Sequence, residues 1–257
     1  MMFESSVSAV GKARRLRNIF RDDDRALIVA MDHGAFGSFA GLEKIEKVVE
    51  KVVSGGAEGI LVTPAMAKHL TNRIKNRIPM VVSIPYDDKY VEHAVKLGAE
   101  AVKTTYFGPV PLDHKMLESI WNVSAACEEW GMPYMVEIVP CDESGKTIYE
   151  VEKVKLAART GAELGGDLVK TAYVGPSSKF KEVVESTPIP ITVMGGPKMD
   201  TITEVLTMLK DAVDAGACGG TIGRNIWQHP NPDKIVKALS AILHEGKTVA
   251  EAQRLLH

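Results

Sequence analysis

The chain has 257 residues, 45% of them hydrophobic and 25% charged, and its 31 Lys and Arg against 33 Asp and Glu leave a net charge of -2. This near balance gives no electrostatic reason to expect nucleic acid or an anionic membrane as the main partner. No apolar run approaches the roughly 20 residues of a membrane span, and residues 1–20 have no signal-type apolar centre. We therefore expect a cytoplasmic protein, with either two domains or one large α/β domain.

Short apolar runs alternate with amphipathic segments along the chain. Eight strands are predicted, at residues 26–32, 59–63, 79–84, 100–106, 133–139, 167–173, 189–195 and 219–223. Helices are predicted between them, most clearly at 41–54, 200–215 and 232–244, where apolar residues recur at helical spacing on one face. Strands that alternate with helices imply parallel pairing.

Eight such units in about 220 residues favour a single-domain α/β protein, a (β/α)8 TIM barrel, over an open doubly wound sheet. The barrel core is expected at about residues 25–245. The segments before Asp22 and after Gly246 are expected to form extra helices, which cap the barrel's bottom or make subunit contacts.

Five charged residues interrupt or directly follow the apolar strands: Asp32, Lys103, Glu137, Lys170 and Arg224. Barrel strands are covered on both faces and normally read as nearly continuous apolar runs. A charged side chain that faces the axis near the C-terminal end of a strand lies where barrel enzymes keep their active sites. The alternative is a buried network with only a structural role. Because desolvating ions costs several kcal/mol each, the pattern favours a working site.

The two lysines lie in near copies of one sequence, VKTTYFGPV at 102–110 and VKTAYVGPS at 169–177. Burial and neighbouring cations favour the neutral amine of a lysine, which can attack a carbonyl to form a Schiff base. The iminium then lets an adjacent carbon–carbon bond break or form, provided that an acid/base group handles the hydroxyl proton. Asp32 is suitably placed to be that group or to orient a water, and the adjacent His33 is either a scaffold or a substrate contact.

Glycine-containing segments follow the last two strands, GGPK at 195–198 and GRN at 223–225. Glycines let backbone amides approach an anion, a helix N-terminus adds a favourable dipole, and an arginine offers a charged fork. These strand ends are the usual phosphate position in barrels. The pattern therefore predicts a phosphate site at Gly195, Gly196, Gly223 and Arg224.

Four stretches carry a resemblance to a known family: AMDHGAFGSFAGLEKI, GGDLVKTAYVG, FKEVVESTPIPITVMGGPK and AGACGGTIGRNIWQHPNP. They resemble the class I aldolases that include archaeal-type fructose-bisphosphate aldolase, aminodideoxyheptulosonate synthase and the thiolase that degrades phosphorylated autoinducer-2. The resemblance implies a (β/α)8 barrel that acts on a phosphorylated sugar and forms a homo-oligomer, commonly a decamer of two stacked pentameric rings. Residue by residue, it implies Lys170 as the Schiff-base lysine, Asp32 as an acid/base residue, and Gly195, Gly196, Gly223 and Arg224 around the phosphate.

Two features depart from the family pattern. In the family's sugar aldolases a strand-five tyrosine, in a segment resembling YPRG, is the general acid, and Val139 occupies that place here. Glu137, two residues earlier on the same strand face, or Tyr173 could replace it as proton donor. The second departure is Lys103 on strand four, where transaldolase-like barrels carry their nucleophile. We expect Lys170 to be the nucleophile and Lys103 its electrostatic partner, which either favours the neutral amine or pairs with Glu137.

Three functions remain open from the sequence. The first is a Schiff-base aldolase, or a transaldolase-type enzyme, for a phosphorylated ketose such as fructose 1,6-bisphosphate or a related deoxy-keto sugar phosphate. The second is a coenzyme A-dependent thiolase, whose DHG segment resembles DHGAFGS here, and the third is a phosphosugar-binding barrel without activity. No cofactor or metal is expected, because only His33 of the seven histidines lies near a strand end and no GxGxxG follows the first strand. Cys127, Cys141 and Cys218 are expected to be free thiols.

Overall fold

The computed structural model describes residues 6–35, 37–71 and 78–256. Eight parallel strands close into a barrel in chain order, each hydrogen-bonded to its neighbours, with the eighth paired to the first. The strands are β1 (Ala26–Ala30), β2 (Gly59–Val62), β3 (Met80–Ser83), β4 (Ala101–Gly108), β5 (Tyr134–Pro140), β6 (Leu168–Thr171), β7 (Ile191–Met194) and β8 (Gly219–Ile222). The predicted (β/α)8 barrel is therefore confirmed.

Helices lie between and around the strands. They are α1 (Val7–Ile19), α2 (Ile45–Ser54), α3 (Pro64–Thr71), α4 (Lys89–Lys96), α5 (His114–Trp130), α6 (Val151–Glu163), α7 (Ser177–Glu185), α8 (Ile202–Asp214), α9 (Arg224–Trp227), α10 (Pro232–Glu245) and α11 (Val249–Gln253). Within the described residues, no helix has the length and apolar character needed to span a membrane. The second helix begins at Ile45 and not at the predicted residue 41, because Gly41 has a φ of 104°, which a right-handed helix does not allow.

The strands form two apolar layers because their side chains alternate between the barrel interior and the surrounding helices. The interior layer consists of Ala26, Ile28, Ala30, Leu61, Val81, Ala101, Met135 and Leu168. The alternate positions, such as Leu27, Val29, Ile60 and Val62, belong to the larger core between the sheet and the helices. Small and branched residues therefore fill the lower half of the barrel, and the positions above them are free to carry polar groups.

The first helix closes the bottom of the barrel. Ile19 at its end joins the interior cluster, with Phe20 packed against the same cluster. Lys12 lies 3.0 Å from the Asp167 carboxylate, and Arg15 donates a hydrogen bond to the Gly131 carbonyl. The expected extra N-terminal helix thus caps the barrel, while α11 packs against α8 and α10 at the other end of the chain.

Gly219 at the start of β8 is required by close backbone packing. Its φ is 148°, and a Cβ there would lie 1.9 Å from the carbonyl oxygen of Ala26 on the paired strand. We expect Gly219→Ala to lower the free energy of unfolding by about 3 kcal/mol or more, because the strand pair has to separate. Gly98→Ala is the matched control: it also has a positive φ but no atom within 4 Å, and should cost about 1–2 kcal/mol. Equal losses in urea unfolding would contradict this account.

Candidate active site

Four ionisable side chains meet at the top of the barrel interior. Lys103, Glu137 and Lys170 each follow a residue of the interior apolar layer by two positions, so the strand period points them to the same side. Asp32 begins a short 3₁₀ turn immediately after β1. The exposed fractions of Lys103, Glu137, Asp32 and Lys170 are only 1%, 2%, 4% and 6%. The cluster is therefore almost completely removed from solvent.

The side chains form a chain of ion pairs. Lys103 Nζ lies 2.8 Å from Asp32 Oδ2 and 2.8 Å from Glu137 Oε2. The second carboxylate oxygen, Glu137 Oε1, lies 2.6 Å from Lys170 Nζ. Glu137 is the strand partner of Lys170 in the β5–β6 register, which fixes this contact. Lys103 is thus held by two carboxylates, whereas Lys170 is held by one.

The charges of the cluster stabilise one another. Burial acts to raise the pKa of Asp32, but Lys103 and Lys170 outweigh it and lower that pKa to about 2. Burial likewise opposes ionisation of Glu137, and the same two lysines lower its pKa below the ordinary value. Burial acts to lower the pKa of Lys103, yet Glu137 and Asp32 raise it well above normal. At neutral pH the two acids are therefore carboxylates and Lys103 is a cation.

The cluster forms the floor of a cavity of about 290 Å³. The residues predicted for phosphate binding line the same cavity, namely Gly195, Gly196, Gly223 and Arg224. One guanidinium nitrogen of Arg224 donates a hydrogen bond to the Gly196 carbonyl over 3.0 Å. Arg224 Nε is buried and has no hydrogen-bond partner within the described part of the chain. Gly223 cannot carry a side chain, because a Cβ would lie 2.6 Å from the His33 ring.

Asn225 holds the loop after β7 in place. Its side-chain amide donates to the carbonyls of Gly195 and Pro197 over 2.8 and 3.1 Å, and its Oδ1 accepts from the Met199 amide over 2.8 Å. Three hydrogen bonds from one buried side chain therefore join the loops that follow β7 and β8. Asn225 lies in the GRN segment, and the sequence pattern alone did not predict this role.

His33 lines the cavity beside Asp32. Its Nδ1 lies 3.8 Å from Asp32 Oδ1, and its ring packs edge-on against Phe39 and Trp227. Burial lowers the pKa of His33, and the cations Lys170 and Arg224 lower it further although Asp32 opposes the shift. The imidazole is therefore neutral at pH 7 and can exchange hydrogen bonds with a ligand.

Tyr173, one of the two suggested proton donors, lies outside this cavity. Its hydroxyl donates to Asp211 Oδ2 over 3.2 Å, and its ring packs against Phe180. It lines a neighbouring cavity of about 560 Å³ between the loops after β6 and β7 and helix α8. Burial raises its pKa to about 12. Val139 is fully buried and has no proton to give, whereas Glu137 is the carboxylate that contacts Lys170.

Thr105 is a polar residue of the site that sequence reasoning missed. Its hydroxyl donates to Glu137 Oε2 over 2.9 Å, and it lines the cavity. Thr105 could have been predicted from the sequence, because it follows Lys103 by two residues on the same strand and so shares its face. Glu137 Oε2 is consequently fixed by both Lys103 and Thr105, while Oε1 faces Lys170.

Comparisons with known proteins agree with this geometry. The model of the DeoC/LacD family of aldolases matches residues 26–229. A 2-amino-3,7-dideoxy-D-threo-hept-6-ulosonate synthase from Halobacterium salinarum is 32% identical, over 91% of this chain and 92% of that protein. A protein named as an uncharacterized aldolase from Saccharolobus solfataricus is also 32% identical, over 96% and 99%.

A similar solved structure is an archaeal fructose-1,6-bisphosphate aldolase whose catalytic lysine is covalently bound to the carbinolamine intermediate of its substrate. Its TM-score is 0.81 at 25% identity, and the alignment covers 90% of this chain and 99% of that one. The fructose-bisphosphate aldolase of Slackia heliotrinireducens shares the fold at a TM-score of 0.81 and 18% identity, over 99% and 94%. The prediction of an aldolase is confirmed, and the chain belongs to the DeoC/LacD family of aldolases.

Proposed function

We propose that the protein is a Schiff-base aldolase for a phosphorylated ketose, with Lys170 as its nucleophile. The observation that carries the proposal is the 2.6 Å contact between Lys170 Nζ and Glu137 Oε1 at the floor of the cavity. This contact supplies a nucleophile together with a group that can take and return its proton. Lys103 is the weaker candidate because its ammonium is already held by two carboxylates.

The first half of the reaction uses Lys170 and Glu137. The lysine transfers a proton to Glu137, and its nitrogen lone pair attacks the ketone carbon. The attacking nitrogen then loses one proton and the carbonyl oxygen takes up one, which gives a neutral carbinolamine. Glu137 then protonates the carbinolamine hydroxyl, the carbon–oxygen bond breaks, water leaves, and the nitrogen lone pair forms the iminium. Thr105 and Lys103 hold the other oxygen of Glu137 and so keep Oε1 directed at the nitrogen.

The second half of the reaction uses Asp32. In the cleavage direction this carboxylate removes the proton of the hydroxyl on the carbon beyond the scissile bond. The bond electrons pass into the iminium to give an enamine, and the aldehyde departs. Asp32 returns its proton to the enamine carbon, and one water hydrolyses the iminium, which releases the ketone and frees Lys170. A pKa of about 2 keeps Asp32 ionised, so it acts as the base for this step.

The phosphate is proposed to bind between the loops after β7 and β8. Arg224 contributes a guanidinium whose buried Nε has no partner in the described part of the chain, and the backbone of Gly195, Gly196 and Gly223 lines the same cavity, where it can approach an anion. The neutral His33 is placed to hydrogen-bond a substrate oxygen from the side of β1. Residues on the β1 side and on the β7–β8 side of the cavity thus both have a proposed contact with the substrate.

A second candidate function is synthesis in place of degradation. The relative from Halobacterium salinarum is named for its product, a seven-carbon amino-dideoxy keto acid, and a second relative with this name, from Archaeoglobus fulgidus, is 32% identical over 94% of each chain. The same enamine could attack a different carbonyl compound as acceptor. This transaldolase-type chemistry uses the same four ionisable residues of the cluster, so the acceptor changes and the mechanism does not.

We expect borohydride to inactivate the enzyme only in the presence of a ketone substrate. Incubation with dihydroxyacetone phosphate and borohydride should reduce the iminium and remove activity irreversibly, while borohydride alone should not. Retained activity would contradict the imine mechanism and favour a thiolase, whereas the absence of both turnover and a borohydride adduct would favour a binding protein. An activity that requires coenzyme A would identify the thiolase.

We also propose that the protein is a cytoplasmic homo-oligomer. Several large apolar side chains are exposed on one protomer, namely Val7, Val10, Trp121 and Trp130 on helices α1 and α5. The three cysteines are unpaired, which fits a reducing compartment. The decamer of two stacked rings that the family resemblance implies is the assembly proposed.

A further inference from the structure

The charge of the central cavity matches one phosphate. Three cations line it within the described part of the chain, Lys103, Lys170 and Arg224, and two carboxylates oppose them, Asp32 and Glu137. Lys103 is held by both carboxylates and Lys170 by Glu137, so only Arg224 has no acidic partner here. A phosphate monoester carries about 1.5–2 negative charges at pH 7. One such group can be compensated by Arg224 and the iminium, whereas a second would face an unmatched charge.

The two sides of the cavity mouth differ in charge. The connections 195–201 and 223–231, on the side of β7 and β8, contain Lys198 and Arg224 against Asp200 alone. The connections after β3, β4 and β5, at 84–88, 109–113 and 141–150, contain a single lysine, Lys146, against six acidic residues. These acidic residues, all exposed, are Asp87, Asp88, Asp113, Asp142, Glu143 and Glu150. Their summed field opposes an anion on the β3–β5 side, although Lys153, whose Nζ lies 3.4 Å from the Val110 carbonyl, offsets part of it.

Beyond the paired Lys103 and Glu137, the other groups that line the cavity on the β4–β5 side are uncharged. Thr105, Phe107 and Thr147 contribute hydroxyls and an aromatic ring. Lys198, the remaining cation near the phosphate loop, lines the neighbouring cavity and is not among the residues of the central one. A substrate that extends from Arg224 across Lys170 towards β4 therefore meets a phosphate site at one end only.

We propose that the substrate carries a single phosphate, on the ketone fragment that remains bound to Lys170, and that the aldehyde fragment is unphosphorylated. This inference rests on the proposed aldolase function and specifies its substrate class. Fructose 1,6-bisphosphate, with a phosphate at each end, is then a poor substrate, although similar solved structures are named for it. A singly phosphorylated ketose, such as fructose 1-phosphate, fits the distribution of charge.

The test compares fructose 1-phosphate with fructose 1,6-bisphosphate on the purified enzyme. The concentration of each ketose that gives half-maximal inactivation by borohydride is measured, with dihydroxyacetone phosphate as reference. We expect fructose 1-phosphate to act at a concentration about tenfold lower than the bisphosphate, because the second phosphate lacks a partner. Equal or lower values for the bisphosphate, with dihydroxyacetone phosphate still trapped, would overturn the single-phosphate inference alone. Failure of all three compounds to inactivate would instead refute the proposed function.

Three variants locate the charge preference. Glu143→Lys reverses one exposed charge on the β5 side, and we expect it to improve trapping by the bisphosphate about threefold while fructose 1-phosphate is unaffected. Arg224→Met should weaken trapping by fructose 1-phosphate at least about tenfold, because it removes the proposed phosphate partner. If Lys198→Met weakens the bisphosphate but not fructose 1-phosphate, a second phosphate site lies at Lys198 and the inference is wrong.

Discussion

Replacing Lys170 with methionine is expected to lower carbon–carbon bond cleavage by about 10⁴-fold or more, because no imine can form and only binding and electrostatic effects remain. The change keeps the length and apolar stem of the side chain and removes the amine. Glu137 retains its contacts with Lys103 and Thr105, so the variant should fold. Activity is followed by release of dihydroxyacetone phosphate, and folding by urea unfolding.

Lys181→Met is the matched control for Lys170→Met. Lys181 lies on α7, is largely exposed and pairs only loosely with Glu185 over 3.6 Å. It should keep full activity. Turnover of Lys170→Met within about tenfold of the control would refute Lys170 as the nucleophile.

Replacing Lys103 with methionine is expected to destabilise the fold by about 3–5 kcal/mol, the usual cost of leaving buried partners uncompensated. The loss should be largest at neutral pH. Asp32 has a pKa of about 2, so its ion pairs stabilise the native state above pH 4 and this contribution is lost as the pH falls towards 2. The raised pKa of Lys103 means that its own contribution is lost only in strong alkali, as the pH rises through that value. The difference in the free energy of unfolding between wild type and variant should therefore become smaller in acid.

Activity of the Lys103→Met variant should also appear at a higher pH than in wild type. Two carboxylates without Lys103 favour the ammonium form of the remaining lysine, which then needs more alkaline solution to become a nucleophile. An unchanged pH profile of kcat/KM would remove the proposed electrostatic role.

The double variant Lys103→Met/Glu137→Gln distinguishes the electrostatic role of Lys103 from its contribution to packing. Removing one carboxylate together with the lysine relieves the uncompensated charge, so the double variant should be more stable than Lys103→Met by about 1–3 kcal/mol. Its activity should remain low, because Glu137 is then unable to carry the proton of Lys170, a loss of about 10²–10⁴-fold. Additive effects on stability would mean that the two side chains do not interact in the folded protein.

The four ionisable residues could be found in the sequence because each interrupts or ends an apolar strand. Their burial at one end of the barrel then follows from the parallel arrangement of the strands. Pairing of Lys103 with Glu137 was one of the two expected alternatives, but the contacts of Lys103 with Asp32 and of Lys170 with Glu137 were not predicted, since the two lysines occupy near copies of one sequence. The difference arises across the barrel: Lys103 reaches Asp32 on the far side, whereas Lys170 forms its ion pair with its strand neighbour Glu137. The order of residues along the chain does not encode distances across the barrel.

The other differences between the sequence-based prediction and the structure concern Tyr173 and Asn225. Tyr173 has the reach to serve as an acid, but Asp211 on α8 binds its hydroxyl in a neighbouring cavity. Asn225 follows a glycine and an arginine, and nothing in the sequence pattern predicted a structural role for it. Its three hydrogen bonds to the loop after β7 depend on the adjacency of β7 and β8 in the closed barrel. Both cases are contacts between side chains and distant loops, which strand and helix periodicity does not encode.

The most direct test of the central claim is the position of the borohydride adduct. After reduction in the presence of dihydroxyacetone phosphate, intact mass should show one ligand per chain, and peptide mapping should place it on Lys170. An adduct on Lys103 would contradict the account, because it would move the nucleophile to β4 and leave Lys170 as the partner of Glu137.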